Sequence, residues 1–181
     1  MKEVKFGFNK YCGPAVLSIV TGKSTDECAD AIRQVTGNYK VEGVYFKDLK
    51  LAAKLLRFDL KETPYIGNSL YSAIMSIVQR DGIFIVQLTK HYVCIEIKDK
   101  QVWFNDNHTK EPMPAASSAR LMNGVVGIHK VVKMEPLKAL PERIEEVTYY
   151  RCGYCGYTAS DRKDIWHYRN CEYKMSMDVA K

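Results

Sequence analysis

The sequence predicts an α+β domain in which N-terminal helices pack on an antiparallel sheet, followed by a small C-terminal module. Three observations lead to this prediction. Apolar residues recur at helical spacing through the first half, β-rich runs follow Gly82, and residues 149–181 hold half of the six cysteines. Because the helices precede the strands instead of alternating with them, a segregated arrangement is favoured over a doubly wound sheet.

Length and composition fit one ordinary domain with a small appendage. The chain has 181 residues, of which 46% are hydrophobic and 27% charged, a balance that excludes a disordered chain. The net charge of +6 permits an anionic partner without requiring one. No apolar run approaches the roughly 18 residues that span a bilayer, and the start lacks a signal-peptide core. We therefore expect a cytoplasmic protein without a membrane partner.

Four helices are predicted in the first half, because apolar stripes lie there between cap and stop residues. Ser24 and Glu27 form a capping-box pair for the second helix, and Asn68 or Ser69 caps the fourth. The predicted helices cover residues 15–22, 24–37, 49–56 and 69–82.

Short β-rich runs make up the next part of the chain. Asp99-Lys100 suits a tight turn between two of them, which indicates an antiparallel meander. Two prolines, Pro136 and Pro141, mark a candidate linker. The predicted strands are 83–88, 91–97, 101–104 and 125–132, and the predicted divisions are a domain at 1–134, a linker at 135–148 and a module at 149–181.

The C-terminal module carries the spacing C-x2-C-x11-H-x3-C. A tight knuckle can present the first pair and successive helical turns the second, which suits one tetrahedral zinc ion. Separate free thiols and a surface histidine are the alternative, but a segment too short to build its own core favours metal. We expect one structural zinc, because protein side chains fill all four positions: Cys152, Cys155, His167 and Cys171.

These four ligands resemble a C2HC zinc finger of the ββα kind. The resemblance implies docking to substrate, protein or nucleic acid. Residues 142–181 hold seven basic and seven acidic residues, so this segment is neutral and its charge gives little support for nucleic-acid binding. Residues 1–141 hold 20 basic and 14 acidic residues, so the whole positive excess lies there.

Three residues are candidates for nucleophilic chemistry. Cys12 stands at the start of a predicted helix, where the positive end of the dipole favours the thiolate. His91 opens a strand, and Asp106 ends the next one, where its carboxylate can reach the far nitrogen of an imidazole. Thiol, imidazole and carboxylate are the parts of an activated acyl-transfer nucleophile. A lone cysteine before a helix is more often a core thiol, so the prediction depends on all three residues.

Three segments resemble the papain-like cysteine peptidases, most closely the compact bacteriocin-processing branch, whose small members are often encoded by phages. They read Asn-Lys-Tyr-Cys-Gly-Pro-Ala-Val-Leu-Ser-Ile-Val at 9–20, Lys-His-Tyr-Val at 90–93 and Phe-Asn-Asp at 104–106. The resemblance spans residues 5–132 and implies a papain-like fold.

The resemblance also implies roles for the three candidates. Cys12 would attack a peptide carbonyl to form a thioester, His91 would act as base and then acid, and Asp106 would orient the imidazole. Transfer of the acyl group to an amine uses the same residues as hydrolysis. A catalytically inactive binding protein that keeps the peptidase scaffold is the other alternative.

Two positions depart from the family pattern. The family places a glutamine for the oxyanion hole six residues before the nucleophile, and Phe6 stands there. Asn9 is the upstream amide that could share the hole, or it caps the turn into the helix. Asn107 follows Asp106 where the family usually has proline, and Asn105 is a rival orienter.

The remaining cysteines and histidines outside the module have plainer interpretations. Cys28 and Cys94 lie on apolar faces, which predicts core thiols. His108 is expected in a loop, and His129 is expected to be structural in the last strand.

Overall fold

The computed structural model describes residues 1–109, 111–135, 150–151 and 158–159. The contacts divide the chain into two units, Met1–Pro136 and Leu137–Lys181. Most of the predicted linker and most of the predicted module, including Cys152, Cys155, His167 and Cys171, lie outside the described residues. The domain boundaries and the zinc site therefore stay predictions.

The four predicted helices are present in the first unit. Residue Gly22 ends the first with φ at 76°, a left-handed conformation that favours glycine. Ser24 and Glu27 form the predicted capping box. The helices are α1 (Cys12–Thr21), α2 (Thr25–Thr36), α3 (Phe46–Leu55) and α4 (Leu70–Ile77).

The fourth helix is shorter than predicted. Ser69 caps it as expected, and the Ser72 hydroxyl completes the box. It ends at Ile77 instead of continuing to Gly82, because the next residues turn back, with the Arg80 N–H bonded to the Ile77 carbonyl. The turn starts the first strand of the meander at Gly82.

The helices pack against an antiparallel sheet of six strands in the order β1-β6-β2-β3-β4-β5. Its strands are β1 (Phe58–Glu62), β2 (Gly82–Leu88), β3 (His91–Lys98), β4 (Gln101–Asn105), β5 (Met113–Pro114) and β6 (Val125–Lys133). The predicted meander is confirmed as β2-β3-β4, and Asp99 and Lys100 form its second turn with positive φ. β1 and β5 were not predicted.

Helices cover both faces of the sheet. α1, α2 and α3 share one apolar core with Leu60, Ile85 and Cys94. α4 packs on the opposite face against side chains such as Phe84 and Ile95. The predicted α+β class is confirmed, and this packing sets the first turn of α1 against β3.

In the second unit, the described residues form two short strands. β7 (Tyr150–Arg151) pairs antiparallel with β8 (Thr158–Ala159). In the described part of the chain, no helix is long and apolar enough to cross a membrane.

Candidate active site

Cys12 is the first residue of α1 and is partly exposed. The loop ahead of it is fixed to α2, because the Asp26 carboxylate accepts the N–H groups of Phe8 and Asn9, both at 2.9 Å. The Gly13 N–H at the start of α1 helps to lower the pKa of the Cys12 thiol, as expected at a helix start, which favours negative charge. The fold thus places the thiol at a helix start whose preceding loop is anchored to α2.

Asn9 supports this loop with its side chain. Its Oδ1 accepts the Tyr11 N–H at 3.1 Å, and its Nδ2 donates to the Val41 carbonyl at 3.2 Å. These contacts are those expected of a side chain that caps the turn into the helix. The predicted role of Asn9 in an oxyanion hole stays a prediction.

His91 stands at the first position of β3, directly after a tight turn in which Lys90 has φ at 61°. The structure brings its ring close to the Cys12 thiol, and the imidazole acts to lower the pKa of that thiol. The other side of the ring faces Asp106, with Nε2 3.1 Å from Oδ2. Nδ1 is therefore the ring nitrogen left for Cys12.

Asp106 follows β4 and is only 1% exposed. Its Oδ1 accepts the backbone N–H groups of His108 at 2.8 Å and Thr109 at 3.2 Å. Its Oδ2 faces both His91 and the Nε of Arg120, the latter at 2.7 Å. Four donors thus satisfy the buried carboxylate and fix its orientation.

Asn105, the rival orienter, points elsewhere. Its Nδ2 donates to the Lys2 carbonyl at 3.3 Å, and its Oδ1 accepts the Thr109 hydroxyl at 2.6 Å. The side chain is fully buried among these partners. In this structure the partner of His91 is Asp106.

The three groups change one another's proton affinity. Burial acts to raise the pKa of the Cys12 thiol, but the neighbouring His91 imidazole and the Tyr92 N–H outweigh it, so the pKa is lowered. Burial acts to lower the pKa of His91, but its bond to Asp106 and the nearby Cys12 thiol raise it overall. Burial opposes the charge on Asp106, yet its donors hold its pKa below the usual range. Both shifts move the pair toward a thiolate beside an imidazolium.

An open cleft of about 480 Å³ gives access to the thiol. Its walls are mostly apolar, and Gln87 is an uncharged polar side chain among them. Within the described residues the Gln87 amide has no hydrogen-bond partner. The cleft is lined by Cys12, residues 42–46, Gln87, Leu88 and residues 90–92.

Sequence reasoning missed three parts of this site. Residues 42–46 carry no motif. They line the cleft in the folded chain, where the Tyr92 hydroxyl donates to the Val44 carbonyl at 2.9 Å. Gln87 could have been found, because it interrupts an otherwise apolar strand. Arg120 gives no signal in the sequence, since its contact with Asp106 depends on the folded loop.

The other candidates take the structural places predicted for them. Cys28 and Cys94 are fully buried, and burial raises the pKa of the first to about 11 and of the second to about 12. His129 is buried in β6 and stacks on Phe46, with ring centroids 3.8 Å apart. His108 lies in the loop after β4. The two thiols are core residues, as predicted.

Comparison with solved structures gives similarity at the level of the fold. The chain resembles the peptidase domain of Streptococcus ComA, a bi-functional ABC transporter involved in a quorum sensing pathway, with 17% identity and a TM-score of 0.51 over 75% of this chain and 100% of that one. It also resembles a double glycine motif protease from an AMS/PCAT transporter solved with the leader peptide, with 18% identity and a TM-score of 0.46 over 73% and 91% of the two chains. No protein-family model matches the chain, and no curated protein matches it.

The similarity to the ComA peptidase domain shows the fold of the helices and six-stranded sheet. The predicted papain-like fold is confirmed. The activity of this chain has to be argued from its own residues.

Proposed function

We propose that this protein is a cysteine peptidase-type hydrolase that cleaves a peptide or protein through Cys12, His91 and Asp106. One observation carries the proposal. A thiol of lowered pKa contacts an imidazole whose far nitrogen is held by a buried carboxylate, at the edge of an open cleft. This arrangement supplies an activated nucleophile and a proton carrier to a bound carbonyl.

The chemistry follows from the two sides of the imidazole. The Cys12 thiolate attacks the carbonyl carbon and forms a C–S bond, while His91 keeps the proton. The imidazolium gives that proton to the leaving amine as the C–N bond breaks, which leaves a thioester on Cys12. His91 then takes a proton from water, the hydroxide attacks the thioester, and the proton returns to the departing thiolate. An amine in place of water would give acyl transfer by the same residues.

The oxyanion of each tetrahedral intermediate needs hydrogen-bond donors. Phe6 cannot donate, and the side chain of Asn9 already supports the loop. The Cys12 backbone N–H has no acceptor among the residues that the structure describes. We assign it one donor position and keep Asn9, which has a second N–H, as the candidate for the other.

Selective alkylation tests the nucleophile directly. At pH 7 we expect iodoacetamide to modify Cys12 at least about 100-fold faster than Cys28 or Cys94. Among these three described cysteines, Cys12 alone has a lowered pKa and an accessible thiol. Peptide mass spectrometry of the full chain over time gives the three rates. Equal and slow modification of all three thiols would contradict an activated nucleophile.

A second candidate function is an inactive, peptidase-like binding protein. The observation that favours it is Phe6 in place of an amide donor, since the loss of one oxyanion donor costs roughly 100- to 1,000-fold in rate. Such a protein would keep a reactive Cys12 but show no turnover. Its finger would then contact protein or nucleic acid.

We also propose a structural zinc ion in the C-terminal unit. Its support is the C-x2-C-x11-H-x3-C spacing, with the paired strands β7 and β8 on either side of the first two cysteines in the chain. Four protein ligands would close the site and leave the ion a folding role, with substrate or partner docking as the role of the unit. The cytoplasmic location and phage origin stay predictions.

Metal analysis tests this site. Full-length protein purified without chelator is expected to carry about one zinc ion per chain, and Cys171→Ser is expected to lose most of it, because a structural site needs its four ligands. Cys28→Ser is the control, since Cys28 is buried in the first unit, and should keep its zinc. Well under one zinc in the unchanged protein would remove the proposal.

A further inference from the structure

Arg120 makes a contact that the peptidase chemistry above does not use. Its Nε lies 2.7 Å from Asp106 Oδ2, the same oxygen that faces His91 Nε2 at 3.1 Å. The Asp106 side chain is 1% exposed and that of Arg120 is 27% exposed. A short, charge-assisted bond in a partly buried place is stronger than a surface ion pair.

We propose that Arg120 is a positioning residue that holds the Asp106 carboxylate and limits how firmly this carboxylate keeps a proton on His91. The inference rests on the proposed peptidase function. Two effects act in the same direction. The guanidinium takes part of the charge of Oδ2 away from the imidazole, and its own positive charge repels an imidazolium nearby. His91 can therefore release its proton to a leaving group more readily than a histidine bound to the carboxylate alone.

The backbone around Arg120 does not need the guanidinium to keep its shape. The Arg120 N–H donates to the Ser118 hydroxyl at 3.2 Å, and its carbonyl accepts the Asn123 N–H at 2.9 Å. The loop is further tied to α4, because the Tyr71 N–H donates to the Leu121 carbonyl at 2.9 Å. The anchored loop presents the side chain to Asp106, so a substitution at this position changes the charge more than the loop.

Several charged or titratable groups surround the imidazole. Cys12 and Asp106 stabilise the imidazolium, whereas Arg120 opposes it. The His108 ring lies 5.9 Å from the His91 ring, centroid to centroid. Two further charged groups, Glu42 and Lys90, line the same cleft. The test must therefore change Arg120 alone and follow His91 itself.

The experiment is an NMR titration of the His91 imidazole in full-length Cys12→Ala protein, which removes the coupled thiol. The chain has four histidines, so the signals can be assigned by single substitutions. Arg120→Gln is expected to raise the His91 titration midpoint by about 0.5 to 1 unit, because the removed charge sits behind a shared carboxylate. Arg120→Lys keeps the charge, so its midpoint is expected to rise by no more than half as much as that of Arg120→Gln.

Arg33→Gln is the matched control, because Arg33 also pairs with an aspartate and its side chain is 34% exposed, but the pair lies on α2. It should leave the midpoint unchanged. If Arg120→Gln does not fold, Arg120→Met keeps the aliphatic stem and must give the same upward shift. An unchanged midpoint, or a shift in Arg120→Lys as large as in Arg120→Gln, overturns the inference.

The titration separates this inference from the proposed function. It reads the imidazole and needs no turnover, so a chain without peptidase activity still tests Arg120. In an active enzyme, Arg120→Gln should also move the alkaline limb of the kcat/KM profile upward, because that limb follows loss of the imidazolium. If the enzyme is active and Arg120→Gln leaves the alkaline limb of its kcat/KM profile unchanged, this inference is overturned and the proposed function is not.

Discussion

Replacement of Cys12 by alanine is expected to abolish peptide cleavage, with kcat/KM lower by roughly 10⁵-fold or more, because removal of a nucleophile leaves only binding and oxyanion contacts. Cys12 is partly exposed at the start of α1, so the fold should persist. The measurement is mass spectrometry of a proteome-derived peptide mixture after incubation with full-length protein. Thermal unfolding of the same samples confirms that the variant is folded.

Cys28→Ala is the matched control for this experiment. Cys28 is fully buried, with its pKa raised to about 11, and it lies away from the cleft lining. Its truncation should cost about 1 kcal/mol of stability and leave cleavage nearly unchanged. Cleavage that survives Cys12→Ala would contradict the proposed mechanism. A biological effect that survives it, with no cleavage by the unchanged protein, would favour the binding protein.

Asp106→Asn is expected to lower kcat/KM by at least about 100-fold. An amide can present its NH2 group to His91, which favours the wrong tautomer, and it carries no charge to stabilise the imidazolium. The His91 pKa, which the aspartate raises, should fall. The pH profile of kcat/KM and the NMR titration of His91 measure both effects.

The same variant should also change how stability depends on pH. The folded pKa of Asp106 lies below its ordinary value of 3.8, so its carboxylate stabilises the native state above about pH 4, and this contribution is lost as the pH falls further. Removal of one partner from a buried charge network costs about 3 to 5 kcal/mol of stability. Asp106→Asn is expected to cost about 3 kcal/mol or less, because the amide keeps the shape of the carboxylate. Urea unfolding at pH 7 and pH 3 measures this difference.

Asn105 provides the control for Asp106. Its amide bonds to Lys2 and Thr109 and not to His91. Asn105→Ser should reduce stability, because buried groups lose partners, but it should leave the His91 titration in place. A fall in the His91 pKa in Asn105→Ser equal to that in Asp106→Asn would contradict the assignment of the orienter.

The choice between Asn105 and Asp106 shows where sequence reasoning reached its limit. Neighbouring residues at a strand end point to opposite sides, and a slip of one residue in register exchanges them. Register depends on the partner strand, which here pairs Cys94 with Asn105. The strand β1 could not be predicted for a similar reason. Phe58–Glu62 holds polar residues at three of its five positions, and it forms a strand because it pairs with β6.

The sequence by itself determined the α+β class, the four helices with their caps and the meander, and it predicted Cys12, His91 and Asp106 as one site. These depend on apolar spacing, on cap residues a few positions apart, and on motifs within short segments. The tertiary structure alone decided that Asp106 faces His91, that residues 42–46 line the cleft, and that Arg120 shares the carboxylate. The physical reason is that these contacts join elements far apart in the chain, and only the packing of helices and loops on one sheet brings such groups within bonding distance.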